Sequence, residues 1–258
     1  MSTQQIRSNS RWIRFVPLLA VLIGILIWEL LSRQLIPLFL PSPWATVQAA
    51  VELWSEGMIT EAIYASMGRI ALGWSMGVIV GVPIGIIMGS SLILRKAIEP
   101  YVDFFRFVPP IAFVTLAIIW LGPGEASKVG LIFYATIFIV IISVVAGVQA
   151  VSQDRLRAAA TLGAGRMRTL LTVVVPSTIP AIVTGARLAM GNSFLTVVSA
   201  EIVAAQEGIG ALIWSARNYG RTEWVFVGII LLGVLGYISD QILRFFALKF
   251  LGRYDIKV

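Results

Sequence analysis

No cysteine and no histidine occurs anywhere in this chain. Disulfides are therefore excluded, as are zinc and haem sites built on those ligands and nucleophile pairs of the Ser-His or Cys-His kind. No lysine follows a glycine either, so a phosphate-binding loop of the G-x-x-x-x-G-K-[ST] type is absent. If ATP drives this protein, another subunit binds it. Charge is scarce as well: 13% of the 258 residues are charged and 58% are hydrophobic, against about 25% charged in an average soluble protein. A soluble domain of this length would need more polar surface.

What is present is a series of long apolar runs. Six segments come near the roughly 20 residues needed to cross about 30 Å of hydrocarbon: Phe15–Leu31, Ala62–Met88, Tyr101–Leu121, Val129–Ala150, Ala181–Ser199 and Val225–Leu243. The expected fold is all-α, a polytopic membrane protein with six transmembrane helices. Its division is a segment at 1–14, one six-helix transmembrane domain at 15–250 and a tail at 251–258. Arg7, Arg11 and Arg14 precede the first run as they would in a signal peptide. The run is too long for one and no small-x-small site follows, so it reads as an uncleaved first helix. The third run contains Asp103, Arg106 and Pro109-Pro110, which should break or kink it.

The net charge of +7 reflects position more than any affinity for nucleic acid. Six spans place both termini on one side, and thirteen Lys and Arg fall in that set of loops against four in the other. By the positive-inside rule both termini are cytoplasmic. Arg69, Arg106 and Arg187 fall within or at the edges of spans. On the opposite side, Val47, Val51 and Trp54, and again Ile209, Leu212 and Ile213, repeat at near-helical spacing, as interfacial helices would.

Between the fourth and fifth spans lies a stretch too polar for lipid and too rich in helix formers for a slack loop, residues 154–170. Asp154 is placed to cap its start, and Gly163 with Gly165 allows a turn before a second helix, so two short helices at an angle are expected.

Within this stretch Arg157-Ala158-Ala159-Ala160-Thr161-Leu162-Gly163-Ala164, followed by Pro176 and Pro180, resembles the EAA signature of ABC importer permeases. The resemblance extends over nearly the whole chain to the nitrate, sulfonate, taurine and bicarbonate group, through Phe39-Leu40-Pro41-Ser42-Pro43, Arg106-Phe107-Val108-Pro109-Pro110 and Ser199-Ala200-Glu201. It implies that the segment is a cytoplasmic coupling helix docking in a groove of an ATP-hydrolysing subunit, with Arg157, Ala158, Ala159, Leu162, Gly163, Ala164 and Arg166 at that contact. Small residues there let one backbone approach another. The family's usual glutamate is replaced by Arg157, a feature shared with the taurine-type branch. It further implies a non-catalytic subunit that binds no cofactor or metal, with ATP and magnesium on the partner. The implied assembly is a homodimer of this chain in a bacterial cytoplasmic membrane, with two ATPase subunits and a periplasmic or surface-anchored solute-binding protein.

Such permeases pass small oxyanions, and arginines at membrane depth suit that cargo because a guanidinium offers forked, charge-assisted hydrogen bonds. Arg69, Arg106, Arg187 and Glu201 are the candidate pathway residues. Structural alternatives stand beside each: Arg106 can pair with Asp103 or Glu99, and Arg187 can pair with Glu201 or snorkel. Taurine or another alkanesulfonate is the first expectation for the solute. Nitrate, bicarbonate or an aromatic or pyrimidine-like anion follows, and a stand-alone secondary transporter is the remoter alternative.

Overall fold

A computed structural model describes residues 15–251, and among them all regular structure is helical. The helices are α1 (Val16–Ser32), α2 (Pro43–Ser55), α3 (Met58–Ser90), α4 (Leu92–Phe105), α5 (Val114–Leu121), α6 (Glu125–Gln149), α7 (Gln153–Thr161), α8 (Arg166–Ala204), α9 (Ile209–Asn218) and α10 (Thr222–Leu251). The expected segment 1–14, and all of the expected tail but Leu251, lie outside the described residues.

Four helices are long and apolar enough to cross a membrane, namely α3, α6, α8 and α10 up to Lys249. The first predicted span is α1, whose 17 described residues reach about 25 Å at 1.5 Å per residue. The third predicted span is a broken one: α4 and the segment Pro110–Leu121 meet at 87°. The prolines cause the break, since each lacks an N–H and Pro109 is extended at φ −62°, ψ 138°. Tyr134 of α6 repairs part of it, donating its hydroxyl proton to the carbonyls of Phe105 (2.6 Å) and Val108 (3.2 Å).

At the centre, α6 lies between α3 and α8. On α3, Gly73, Gly77, Gly81, Gly85 and Gly89 recur every four residues and face Ile132, Thr136, Val140, Val144 and Val148 of α6, which recur at the same interval. This is the meeting of two i, i+4 rows, drawn close because one lacks side chains. On the other side of α6, Gly185 of α8 meets Ser143, and Gly147 meets Ala181. Lipid tails are as apolar as leucine, so this packing and its hydrogen bonds hold the helices together in place of a hydrophobic driving force. Thr136 and Ser193 pair at 3.1 Å between α6 and α8, and Trp74 donates to the Ala186 carbonyl at 2.8 Å between α3 and α8.

Two expectations are corrected here. The second short helix after the Gly163 turn is not separate: it is the first turn of α8, which runs 39 residues from Arg166 to Ala204. Pro176 and Pro180 do not end it, and a π-helical stretch at Leu170–Val174 widens the helix just before the first proline. The pair of supposed interfacial helices also divides. In α2, Val47, Val51 and Trp54 are exposed along one face, whereas Ile209 and Leu212 of α9 are buried against the bundle.

The glycine row predicts paired outcomes. A Cβ at Gly77 would sit 2.5 Å from the Thr136 Cβ, whereas one at Gly68, on the open side of α3, meets nothing within 4 Å. Gly77→Ala should lower stability by about 1–3 kcal/mol through overpacking, and Gly68→Ala should raise it by about 0.5–1 kcal/mol through helix propensity. Thermal unfolding of the purified variants in detergent checks both signs.

Candidate functional site

Three arrangements of polar residues stand out against the apolar bundle. The first closes one end of it. Arg69 of α3 is 5% exposed and Glu201 of α8 is fully buried, and they meet at 2.7 Å through Nη1 and Oε1. The same Nη1 donates to the Glu207 carbonyl at 2.7 Å, while Nε and Nη2 hold Glu125 of α6 at 2.6 and 2.8 Å. Lys128 adds a contact to Glu125 at 2.9 Å. Around Glu201, the Ser66 hydroxyl donates to Oε1 at 2.7 Å and the Gly210 N–H donates to Oε2 at 2.8 Å, while Ser66 accepts from the Ile209 N–H at 2.9 Å. Both amides belong to the first turn of α9, whose dipole favours a negative charge.

This network joins α3, α6, α8 and α9 through the Arg69 guanidinium and the Glu201 carboxylate. Gly208, at φ +124°, is required where the chain turns back, because a Cβ there would overlap the Glu201 carboxylate. Every buried side-chain nitrogen and oxygen among the described residues has a hydrogen-bond partner. The sequence reading singled out Arg69 and Glu201 individually, and they come together here. Ser66, Glu125 and Lys128 were not anticipated. Their one visible signal was polarity near span ends, which is also what loops look like.

The second arrangement is Arg187 of α8 with Asp240 of α10, joined by two parallel hydrogen bonds of 2.8 Å each. Arg187 thus neither pairs with Glu201 nor snorkels. Arg106 stands apart from both. It pairs with Asp103 at 3.1 Å, lies 4.5 Å from the Phe107 ring centroid and lines a cavity at the bend of the third span.

The third arrangement is the elbow formed by α7, the Gly163 turn and the start of α8. The turn residue Gly163 has φ +71°, as the sequence predicts. Asp154 sits in the first turn of α7 and makes no side-chain capping bond; the N-cap is Ser152. Arg157 reaches Asp154 at only 3.9 Å, with its side chain 80% exposed. Leu162 is 86% exposed and Met167 is 66% exposed, while Ala159 is buried. Two grooves flank the elbow, of about 900 and 970 Å³, and Ala164 borders both. Ala158 lines the first and Arg166 the second.

Comparison with known proteins agrees with this architecture. Residues 81–251 match the family described as the binding-protein-dependent transport system inner membrane component. The taurine transport system permease of Escherichia coli K12 is 37% identical over 88% of this chain and 84% of its own. A nitrate import permease of Leptolyngbya laminosa is 34% identical over 72% of this chain and 66% of its own. Among solved structures, a chain of the MetNI methionine ABC transporter superposes with a TM-score of 0.62 at 16% identity, covering 72% of this chain and 95% of that one. The chain therefore belongs to the inner-membrane components of binding-protein-dependent transport systems. It is an ABC importer permease of the group that includes the taurine and nitrate permeases, a transport component whose ATPase is a separate subunit.

Removing one partner of a buried ion pair leaves an uncompensated charge, at a cost of about 3–5 kcal/mol. Glu201→Ala should lower stability by that order. Adding Arg69→Ala should cost less than the sum of the two single changes, because the Arg69–Glu201 contact can be lost only once. Denaturant unfolding of the three variants in detergent measures the coupling.

Proposed function

We propose that this chain forms, with a second copy of itself, the pathway by which a small anion enters the cell, and that α7 with the Gly163 turn is the segment through which ATPase subunits drive it. The observation that carries the reading is the elbow: a polar helix projects from an apolar bundle and ends in the exposed apolar pair Leu162 and Met167. Exposed apolar groups rimmed by polar ones mark a surface awaiting a partner. Arg157, Ala158, Leu162, Gly163, Ala164 and Arg166 form the contact, while Ala159, expected there too, is buried behind them. Because Arg157 is only loosely tied to Asp154, it is free to meet an acidic group on the ATPase.

In this reading α7 and both termini face the cytoplasm, in agreement with the basic residues gathered at that end. Two ATPase subunits holding ATP and magnesium lie below, and a solute-binding protein docks above. The continuity of α8 supports transmission, since the elbow and a long span are one helix. The π-helical stretch at Leu170–Val174 lies where the elbow joins the span, and such irregularities recur at functional sites. Taurine or another alkanesulfonate is the preferred solute, supported by the 37% identity to a taurine permease. Nitrate is the next alternative, through the 34% identity to a nitrate permease. Of the four pathway candidates, Arg69, Glu201 and Arg187 have their hydrogen bonds taken up within the chain, which supports a role in holding helices. Arg106 keeps the pathway role.

Burying a leucine side chain is worth about 1.5–3 kcal/mol. Leu162→Asp should therefore weaken ATPase association about tenfold or more, read by titrating the purified permease with its ATPase subunit; unweakened association would count against this placement. Gly163→Val forces a branched residue to a positive φ and should abolish solute-stimulated ATP hydrolysis while the chain still inserts into membranes. Retained stimulation would mean the turn is not the coupling element.

A further inference from the structure

We propose that the cavity at the bend of the third span is a binding site for a small organic anion, with the Arg106 guanidinium receiving the anionic head and aromatic rings receiving a short apolar tail. This deepens the reading of the chain as an anion importer and rests on it.

The cavity measures about 320 Å³ and is lined by Arg106, Phe107, Tyr134, Phe138 and Asn192 among others. Tyr134 lies nine residues into α6, and Asn192 twelve residues before the end of α8. At 1.5 Å per residue these are about 14 and 18 Å from the helix ends, which puts the cavity near the middle of the hydrocarbon. Non-helical backbone at that depth persists only where it is buried in protein or lines a water-filled space. Here residues 106–109 are the non-helical stretch between α4 and Pro110, and Arg106, Phe107 and Val108 line the space.

The break does not require the arginine. Tyr134 already satisfies the Phe105 and Val108 carbonyls, so Arg106 is not there to cap them. Among the described residues no acceptor takes a hydrogen bond from its Nη atoms, and the nearest carboxylate, Asp103, faces Nε at 3.1 Å. That pair is 39% and 54% exposed, and an exposed ion pair of this kind holds its partners weakly. A charge at membrane depth with free donors is the signature of a group that meets a ligand. Arg69 and Arg187 are the contrast within the same molecule, since carboxylates take their donors.

The chemistry of the walls specifies the ligand. A guanidinium with free N–H donors takes an oxoanion by paired hydrogen bonds. Asn192 brings an amide from α8; it donates to the Ala135 carbonyl at 3.2 Å. The remaining lining is aromatic and aliphatic, including Phe105, Phe138 and Ile139. The volume corresponds to about ten waters at roughly 30 Å³ each, more than a bare inorganic anion fills. The fit is to an oxoanion bearing a few carbons.

Thermal unfolding of the full-length purified chain in detergent tests this, with propane-1-sulfonate and nitrate as probes. A ligand at about ten times its Kd that binds only the folded state raises the folded-to-unfolded ratio about tenfold. Propane-1-sulfonate should protect the wild type in this way and nitrate should protect it less. Arg106→Gln should abolish protection, and Arg106→Lys and Asn192→Leu should each reduce it. Absence of protection of the wild type at any soluble concentration overturns the site. So does equal protection of Arg106→Gln, or, should that variant fail to fold, equal protection of both Arg106→Lys and Asn192→Leu. Equal protection by nitrate overturns the apolar-tail assignment. Association of the wild type with its ATPase, measured separately, reports on the importer reading alone, so the two failures are distinguishable.

Discussion

A carboxylate with no exposed surface in the interior of a membrane protein must be neutralised by its neighbours, and Glu201 is such a group. The cost of stripping water from a charge is several kcal/mol even after relaxation. It is offset only if the attraction and the hydrogen bonds are complete, which fixes the positions of Arg69, Ser66 and the first turn of α9 together. One end of the bundle is therefore specified by electrostatics, whereas its middle is specified by close packing of glycines on α3 against branched residues of α6. Neither depends on the hydrophobic effect, which contributes little between helices already in lipid.

These constraints leave the opposite end as the adaptable one. There α7 is seated on the bundle through Leu156 and Ala159, while Ala158 and Ala160 border open grooves. The long helix α8 links the two ends: Glu201 lies near its last turn, the Arg187–Asp240 pair near its middle and the elbow at its first turn. Arg166 and Glu201 thus stand at the two ends of one continuous helix. The third span is the other irregular element, and its bend at Pro109 sits beside α8 through Asn192.

Much of this was legible in the amino-acid sequence because it depends on local composition. Apolar runs locate spans, and Pro109-Pro110 marks the break, since a missing N–H acts wherever the chain goes. The Gly163 turn was legible for the same reason. The boundaries of α8 were not, because polarity alone ends a predicted span near Ala181, while the helix continues to Arg166 through two prolines and a π-helical stretch. Pairings over long separations were least visible. Arg69 and Glu201 are 132 residues apart and Arg187 and Asp240 are 53 apart, and nothing in the local pattern of one names the other. Arg187 near Glu201 in sequence was a misleading proximity, because fourteen residues along one helix amount to about 21 Å.

The central claim is that this chain is the passive, externally driven pathway of an importer. Its most direct test is solute flux into proteoliposomes holding this chain alone, this chain with its ATPase, and the full set with the binding protein, using radiolabelled taurine as the first probe and nitrate as the second. The account predicts accumulation only in the full set, and only when ATP is present on the ATPase side. Uptake by the isolated chain, with no ATP and no partner, would contradict it.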